Sequence, residues 1–93
     1  MTLALSTLIR RTEGLLEAEQ DGELLGMHID NGACYAFNPT ALRVWRLLET
    51  PKTVAELRDG LMAEFEVDQE TCEASLQRLL HEMQRERLVI PAA

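Results

Sequence analysis

The stretch NGACYAFNPTALRVWRLLE, residues 31–49, most constrains what this chain can fold into. Apolar and small side chains alternate over residues 33–37, which predicts a strand with one buried face. Asn38 is a good helix N-cap residue, and Pro39 suits the first helical position, where its missing N–H is not needed. Apolar residues then recur at helical spacing, at Ala41, Val44, Trp45 and Leu48. The sequence therefore predicts a strand that leads directly into a helix.

Two more strands are predicted before this junction. Residues 12–19 and 23–29 are the first and second strands of a three-stranded meander, and residues 33–37 are the third. The connecting turns are residues 20–22 and 30–32. Each turn ends in glycine, which accepts the positive φ that tight hairpins require.

Three helices are predicted after the meander. The first ends near Glu49, a capping box of Thr53 and Glu56 begins the second, and Asp68 caps the third. The apolar stripe of the second helix is Val54, Leu57, Leu61 and Phe65, and that of the third is Cys72, Leu76, Leu79, Leu80 and Met83. Trp45 is predicted to be the core anchor of the first helix.

The predicted elements define one α+β domain over residues 1–93, with its core over about 12–90. A three-stranded antiparallel meander followed by three helices is a winged helix-turn-helix-like arrangement. The tail is β-like over residues 88–90 and is predicted to stop at Pro91. A chain of 93 residues, 46% hydrophobic and 27% charged, suits a single modest core.

Composition also sets expectations about location. No apolar run approaches the roughly 18 residues of a membrane span, so no membrane partner is expected. The apolar N-terminus has no early positive charge and no clear cleavage site, so we expect no signal peptide. The two cysteines, Cys34 and Cys72, are too few for a disulfide framework. We therefore expect reduced thiols and a cytoplasmic protein.

The net charge of −7 argues against nucleic acid as a partner. Proteins that hold a phosphate backbone usually present a basic face, because neutralised phosphates supply most of their non-specific affinity. Residues 68–87, the predicted third helix, instead carry five acidic and three basic residues.

Residues that could support a metal site or catalysis form no recognisable pattern. His28, Cys34, Cys72 and His81 match no zinc spacing, so no metal and no cofactor are expected. No nucleophile–base arrangement and no glycine-rich phosphate loop is present, so no catalytic residue is assigned and the chain is not expected to be an enzyme. A separate hypothesis places Cys34 opposite Cys72 across a groove, which would make binding there redox-sensitive.

Residues 30–90 resemble the PqqD family of leader-peptide-binding domains, also called RiPP recognition elements. The matching features, in order, are Gly32, Tyr35 to Phe37, Asn38 with Thr40 and Ala41, Trp45, Thr53 and Val54 with Leu57, and Leu88 with Val89. Arg87 stands where the family often has glycine before the closing Leu-Val. The motifs of the members that serve pyrroloquinoline quinone synthesis are absent, and the chain looks more like the stand-alone leader-binding proteins of lasso peptide biosynthesis.

The resemblance implies a function for the third strand. With one neighbour in the meander, that strand is an edge, and family members add an extended leader peptide to it, in the groove beside the third helix. The peptide-binding residues implied are Cys34, Tyr35, Ala36 and Phe37 on the edge, Leu76, Leu80 and Met83 on the groove floor, and Glu73, Gln77, Arg78 and Gln84 as selectors of leader side chains. Their helical spacing also fits Leu76 and Met83 as plain core residues.

The implied function is that of a non-catalytic adaptor. It binds the leader of a ribosomally made precursor peptide and delivers it to a separate modifying enzyme, such as a leader protease or cyclase. Two alternatives are a winged-helix transcriptional regulator and a PqqD-type chaperone of pyrroloquinoline quinone biosynthesis. A homodimer formed through the edge strands is compatible with the adaptor.

Overall fold

The computed structural model describes residues 3–21 and 23–92. These residues form six strands and three helices, in the order β1 (Leu8–Arg11), β2 (Leu15–Gln20), β3 (Glu23–His28), β4 (Cys34–Phe37), α1 (Pro39–Leu47), β5 (Lys52–Thr53), α2 (Val54–Glu64), α3 (Gln69–Arg85) and β6 (Val89–Ala92). The predicted α+β class and the meander followed by three helices are confirmed. The winged-helix description is a loose one, because the chain builds two sheets.

The predicted meander is the antiparallel sheet β2-β3-β4. Its first strand begins at Leu15 rather than at residue 12, because residues 12–14 form the bend that separates it from β1. Gly32 has the expected positive φ of 72° in the second turn. In the first turn Asp21 has a φ of 53°, and Gly22 lies outside the described residues.

A second sheet, β5-β1-β6, was not predicted. Its central strand, β1, pairs antiparallel with β6 from Leu8↔Ala92 to Arg11↔Val89. It also pairs with the short β5, through Leu8↔Thr53 and Ile9↔Lys52. Segments from near both ends of the chain therefore form one sheet.

The strand β6 continues through Pro91, so the prediction that the tail stops there was wrong. The Thr12 N–H donates to the Leu88 carbonyl at 2.9 Å, which fixes the alternation of the ladder. By that alternation Ile90 and Ala92 direct their N–H groups toward β1, and Pro91 lies at a position that faces away. Because β6 is an edge strand, the missing N–H of Pro91 removes no hydrogen bond.

The three predicted helix N-termini are confirmed by their caps. The Asn38 side chain accepts from the Ala41 N–H at 2.8 Å. Thr53 and Glu56 form both hydrogen bonds of the capping box. Asp68 accepts from the Thr71 N–H at 2.7 Å, and this bond lowers the pKa of the Asp68 carboxyl.

The core lies between the helices and both sheets. Trp45 is 2% exposed, which confirms it as the anchor of α1, and its ring centroid is 5.1 Å from that of Phe37. A Cβ on Gly26 would approach the Phe37 ring to 3.1 Å, so glycine lets β3 pass close to this ring. Phe65, predicted to belong to the α2 stripe, instead follows the helix as its C-cap and is 37% exposed.

The C-terminus of α3 is closed by a Schellman motif. The Leu88 N–H donates to the Met83 carbonyl at 2.8 Å, and the Arg87 N–H donates to the Gln84 carbonyl at 2.9 Å. Arg87 has a φ of 58°, the left-handed conformation that usually selects glycine at this position. The helix thus ends in the ordinary way in spite of the arginine.

None of the described helices is long and apolar enough to cross a membrane.

Candidate functional site

The outer edge of β4 has no strand beside it among residues 3–21 and 23–92. The sheet order β2-β3-β4 gives β4 a single neighbour. The N-terminal segment and the tail, which could have covered this edge, pair with each other in the other sheet. An unpaired edge of this kind offers main-chain hydrogen bonds to another extended chain.

The register of the hairpin identifies which groups face outward. The His28 N–H donates to the Ala33 carbonyl at 2.9 Å, and Gly26 pairs with Tyr35 and Leu24 with Phe37 in the same ladder. By the antiparallel alternation, Tyr35 and Phe37 direct their N–H and carbonyl groups toward β3. Those of Cys34 and Ala36 point to the open edge. Both residues are exposed, so these groups are available to a visiting strand.

One side of α3 forms the wall that faces β4. The Tyr35 hydroxyl donates to Oε1 of Glu82 at 3.4 Å, which joins strand and helix. A shallow depression of about 240 Å³ lies along this side, lined by Asn38, Thr40, Ser75, Arg78, Leu79 and Glu82. Burial, followed by the negative charges of Glu82 and Glu86, raises the pKa of Tyr35. The open edge of β4 and the side of α3 that faces it are called the β4–α3 groove below.

An apolar pocket lies beside this depression, toward the start of α3. Its volume is about 210 Å³, and it is lined by Thr40, Leu61, Phe65, Val67, Cys72, Ser75 and Leu76. Thr40 and Ser75 line both depressions, so the two lie side by side. An extended chain paired with β4 could place an apolar side chain in this pocket while it also contacts α3.

The apolar residues predicted for the groove lie mostly in the core. Phe37 is 5% exposed, Leu76 1%, and Leu80 and Met83 0%. Of these, Leu76 also reaches the wall of the apolar pocket. The structure therefore places Leu80 and Met83 beneath the groove, where they support α3.

Three predicted selector residues lie on the opposite side of α3 from β4. A carboxylate oxygen of Glu73 is 2.8 Å from the Arg58 guanidinium of α2. The Gln77 amide accepts from the Leu3 N–H at 2.9 Å and donates to the Leu3 carbonyl at 2.7 Å. Gln84 is seven residues from Gln77 and shares its side of the helix. Among the predicted selectors, only Arg78 lines the groove.

Five residues that line the groove were not predicted as binding residues. They are Asn38, Thr40, Ser75, Leu79 and Glu82. Ser75, Arg78 and Glu82 follow one another at intervals of three and four residues, next to Leu79 at the border of the apolar stripe of α3, and this spacing is visible in the sequence. The sequence does not show which side of that stripe faces the sheet.

The hypothesis of linked cysteines is not favoured by their positions. Both thiols are free, Cys34 exposed and Cys72 buried, and burial raises the pKa of Cys72. Tyr35, next to Cys34, contacts Glu82. Glu82 lies ten residues from Cys72, or about 15 Å along the helix.

The histidines and cysteines considered as metal ligands are not gathered in one place. Within the described ranges, no three or more His, Cys, Asp or Glu side chains are grouped so as to hold a metal ion. His28 is buried, and its Nε2 lies 2.7 Å from the Glu86 carbonyl oxygen, a hydrogen-bonded core position.

Comparison with known families matches residues 23–89 to the sequence profile of the family described as "Coenzyme PQQ synthesis protein D (PqqD)". The match spans more than half of the chain and includes the whole β4–α3 groove. The chain belongs to the PqqD family. The resemblance drawn from the motifs around Asn38 and Thr53 is thereby confirmed. No curated protein matches the chain significantly.

Two solved structures share the fold of this chain. One is described as "TbiB1 in Complex with the TbiA(beta) Leader Peptide"; it is 27% identical, covers 90% of this chain and 98% of its own, and superposes with a TM-score of 0.80. The other, "Lasso peptide synthetase B1 complexed with the leader peptide", is 24% identical, with coverages of 89% and 98% and a TM-score of 0.74. Both descriptions concern leader-peptide complexes of those proteins.

Proposed function

We propose that this PqqD-family chain is a non-catalytic adaptor of ribosomal peptide biosynthesis. It binds the leader of a precursor peptide by strand addition to β4, beside α3. It then presents the precursor to a separate modifying enzyme, such as the leader protease or cyclase of a lasso-type pathway, in the cytoplasm.

The observation that carries the proposal is the open edge of β4. The outward groups of Cys34 and Ala36 offer hydrogen bonds that do not depend on the leader's side chains, whereas the wall of α3 offers contacts that do. A leader that is disordered when free can be ordered in this way at one defined place on the precursor. The leader-peptide complexes of the two similar proteins support the same use of the fold here.

Two proline variants test strand addition. In Ala36→Pro the lost N–H points to the open edge, so the β3–β4 ladder stays intact and a visiting strand loses a donor. The matched control is Glu19→Pro on β2. The Ile29 N–H donates to the Gly14 carbonyl at 3.0 Å, and by this alternation the Glu19 N–H faces the other open edge of the meander.

The measurement is fluorescence anisotropy with the synthetic leader of the precursor encoded beside this chain's gene. We expect Ala36→Pro to weaken binding about tenfold, the cost of one or more main-chain hydrogen bonds. Glu19→Pro should bind as the unmodified protein does. Equal affinity for the leader in a folded Ala36→Pro protein would contradict strand addition.

A second candidate is the chaperone of pyrroloquinoline quinone synthesis, which the description of the family favours. The same groove would then receive the precursor peptide of the quinone. Titrating both peptides side by side distinguishes the pathways, because the tighter ligand identifies the cognate precursor. Two copies could also pair through β4; sedimentation with and without leader would show such a dimer dissociating as the edge is occupied.

A further inference from the structure

Arg78 and Glu82 carry opposite charges and lie one turn apart on the groove side of α3. They are four residues apart and both exposed, an arrangement in which opposite charges commonly pair along a helix. In the part of the chain that the structure describes, no ion pair joins them: Glu82 accepts from Tyr35, and Arg78 has no carboxylate within 4 Å. Each charge therefore faces the groove and can take a partner from outside.

The spacing of this pair matches that of an extended peptide. Four residues of helix rise about 6 Å, and two residues of strand span about 6.6 Å. A strand on β4 that runs along α3 thus directs every second side chain toward successive turns of the helix. If one such side chain lies at Glu82, the next lies at Arg78, and the one after it reaches the apolar pocket beside Ser75.

We propose that the β4–α3 groove selects leaders by the order of three alternating side chains: apolar, acidic and basic. The apolar side chain occupies the pocket lined by Leu61, Phe65 and Val67, the acidic one pairs with Arg78, and the basic one pairs with Glu82. This inference rests on the proposed leader binding and adds its specificity.

The order of charges along the peptide distinguishes the proposed selection from non-specific attraction of the peptide to the net charge of the chain. The chain has a net charge of −7, so any cationic peptide is drawn to it at low salt. That field does not distinguish two peptides of the same composition. Arg78 and Glu82, fixed one turn apart, do distinguish them, because reversing the peptide's two charges places like charges opposite each other.

Four labelled peptides of eleven residues test the order. Each has threonine at the flanking and intervening positions. The first two have the cores Leu-Thr-Asp-Thr-Lys and Lys-Thr-Asp-Thr-Leu. The second two have the cores Leu-Thr-Lys-Thr-Asp and Asp-Thr-Lys-Thr-Leu. Each core is used in both directions because the bound strand could run either way along β4. All four have the same composition and net charge. Anisotropy is measured with the unmodified chain and with a double variant, Arg78→Glu with Glu82→Arg, whose net charge is unchanged.

For the unmodified chain we expect one of the first two peptides to bind best, roughly fivefold more tightly than either of the second two. The double variant should prefer one of the second two. Equal binding of all four, absence of binding, or the same preference in the double variant would overturn the proposal.

Two further measurements keep the outcome clear. Circular dichroism of the double variant, and of Arg78→Gln with Glu82→Gln as a neutral pair, verifies the fold. The neutral pair should bind all four peptides alike. If Ala36→Pro binds the peptides with full affinity and the same order preference, strand addition is contradicted while the charge selection stands. If the unmodified chain binds its cognate leader but shows no preference among the four peptides, only the charge selection is contradicted.

Discussion

Nε2 of His28 lies 2.7 Å from the carbonyl oxygen of Glu86. Since a carbonyl can only accept, Nε2 carries the hydrogen and donates. The bond joins the middle strand of the meander to the residue that caps α3. It therefore helps to fix the distance between the two sides of the β4–α3 groove.

Replacing His28 should destabilise the contact between β3 and the end of α3. We expect His28→Ala to lower the free energy of unfolding by about 2 kcal/mol, because it removes a buried hydrogen bond and leaves a cavity. His81→Ala, at an exposed position of α3, should change it by less than about 0.5 kcal/mol. Urea unfolding at pH 7 measures both, and similar values for the two variants would show that His28 has no such role.

Arg87 is the position at which a single substitution is most readily expected to stabilise the fold. Its φ of 58° costs an L-residue roughly 1 kcal/mol that glycine does not lose. We expect Arg87→Gly to raise the free energy of unfolding by up to about 1 kcal/mol. Arg87→Ala keeps the strained conformation without the charge and should give no gain, so equal gains in both variants would point to charge rather than backbone.

Tyr35 is the chain's single tyrosine, so its titration can be followed by the ultraviolet absorbance of the phenolate. Burial and the Glu82 carboxylate raise the pKa of Tyr35. We expect Glu82→Gln to lower the pKa of Tyr35, though not to its ordinary value, because the burial remains. Glu49→Gln, an exposed carboxylate that does not line the groove, should leave this pKa unchanged.

The same shift predicts the direction of a stability change in alkali. The fold favours the neutral phenol, so the contribution of Tyr35 is fully present below about pH 10 and is lost as the pH rises through the raised pKa. Urea midpoints of the unmodified chain should therefore fall more steeply in this range than those of Tyr35→Phe. Parallel curves would contradict the raised pKa.

The two thiols should differ sharply in reactivity. Cys34 is exposed on the groove edge, whereas Cys72 is 3% exposed and its pKa is raised by burial. With Ellman's reagent we expect one fast thiol, absent in Cys34→Ser and kept in Cys72→Ser. Bound leader should slow this fast reaction, because the added strand covers the main chain beside Cys34.

The helices could be predicted from the sequence because their signals are local. Asn38, Thr53 and Asp68 each bond to a backbone N–H three residues later, so the residues that begin a helix stand next to each other in the chain. The meander followed for a similar reason, since turns at Gly32 and around Asp21 join its strands in sequence.

The second sheet could not be predicted in this way. β1 pairs with β6 about eighty residues away, and no turn residue announces a partner so distant. The groove was predicted in part: its edge follows from counting neighbours of β4. The side of α3 that faces this edge depends on how the helix packs, so Arg78 was identified as a binding residue and Glu82 was not.

The pairing of Leu8 with Ala92 has a practical consequence for engineering. Hydrogen-bonded partners in an antiparallel ladder have their Cα atoms about 5.5 Å apart. A connector of a few residues could therefore bridge these two positions in a circular permutant reopened elsewhere, for example at the loop around Thr50. A catalytic domain fused after Ala92 would likewise be attached to the sheet β5-β1-β6, which does not contain β4. The open edge of β4 would then stay accessible to the peptide substrate.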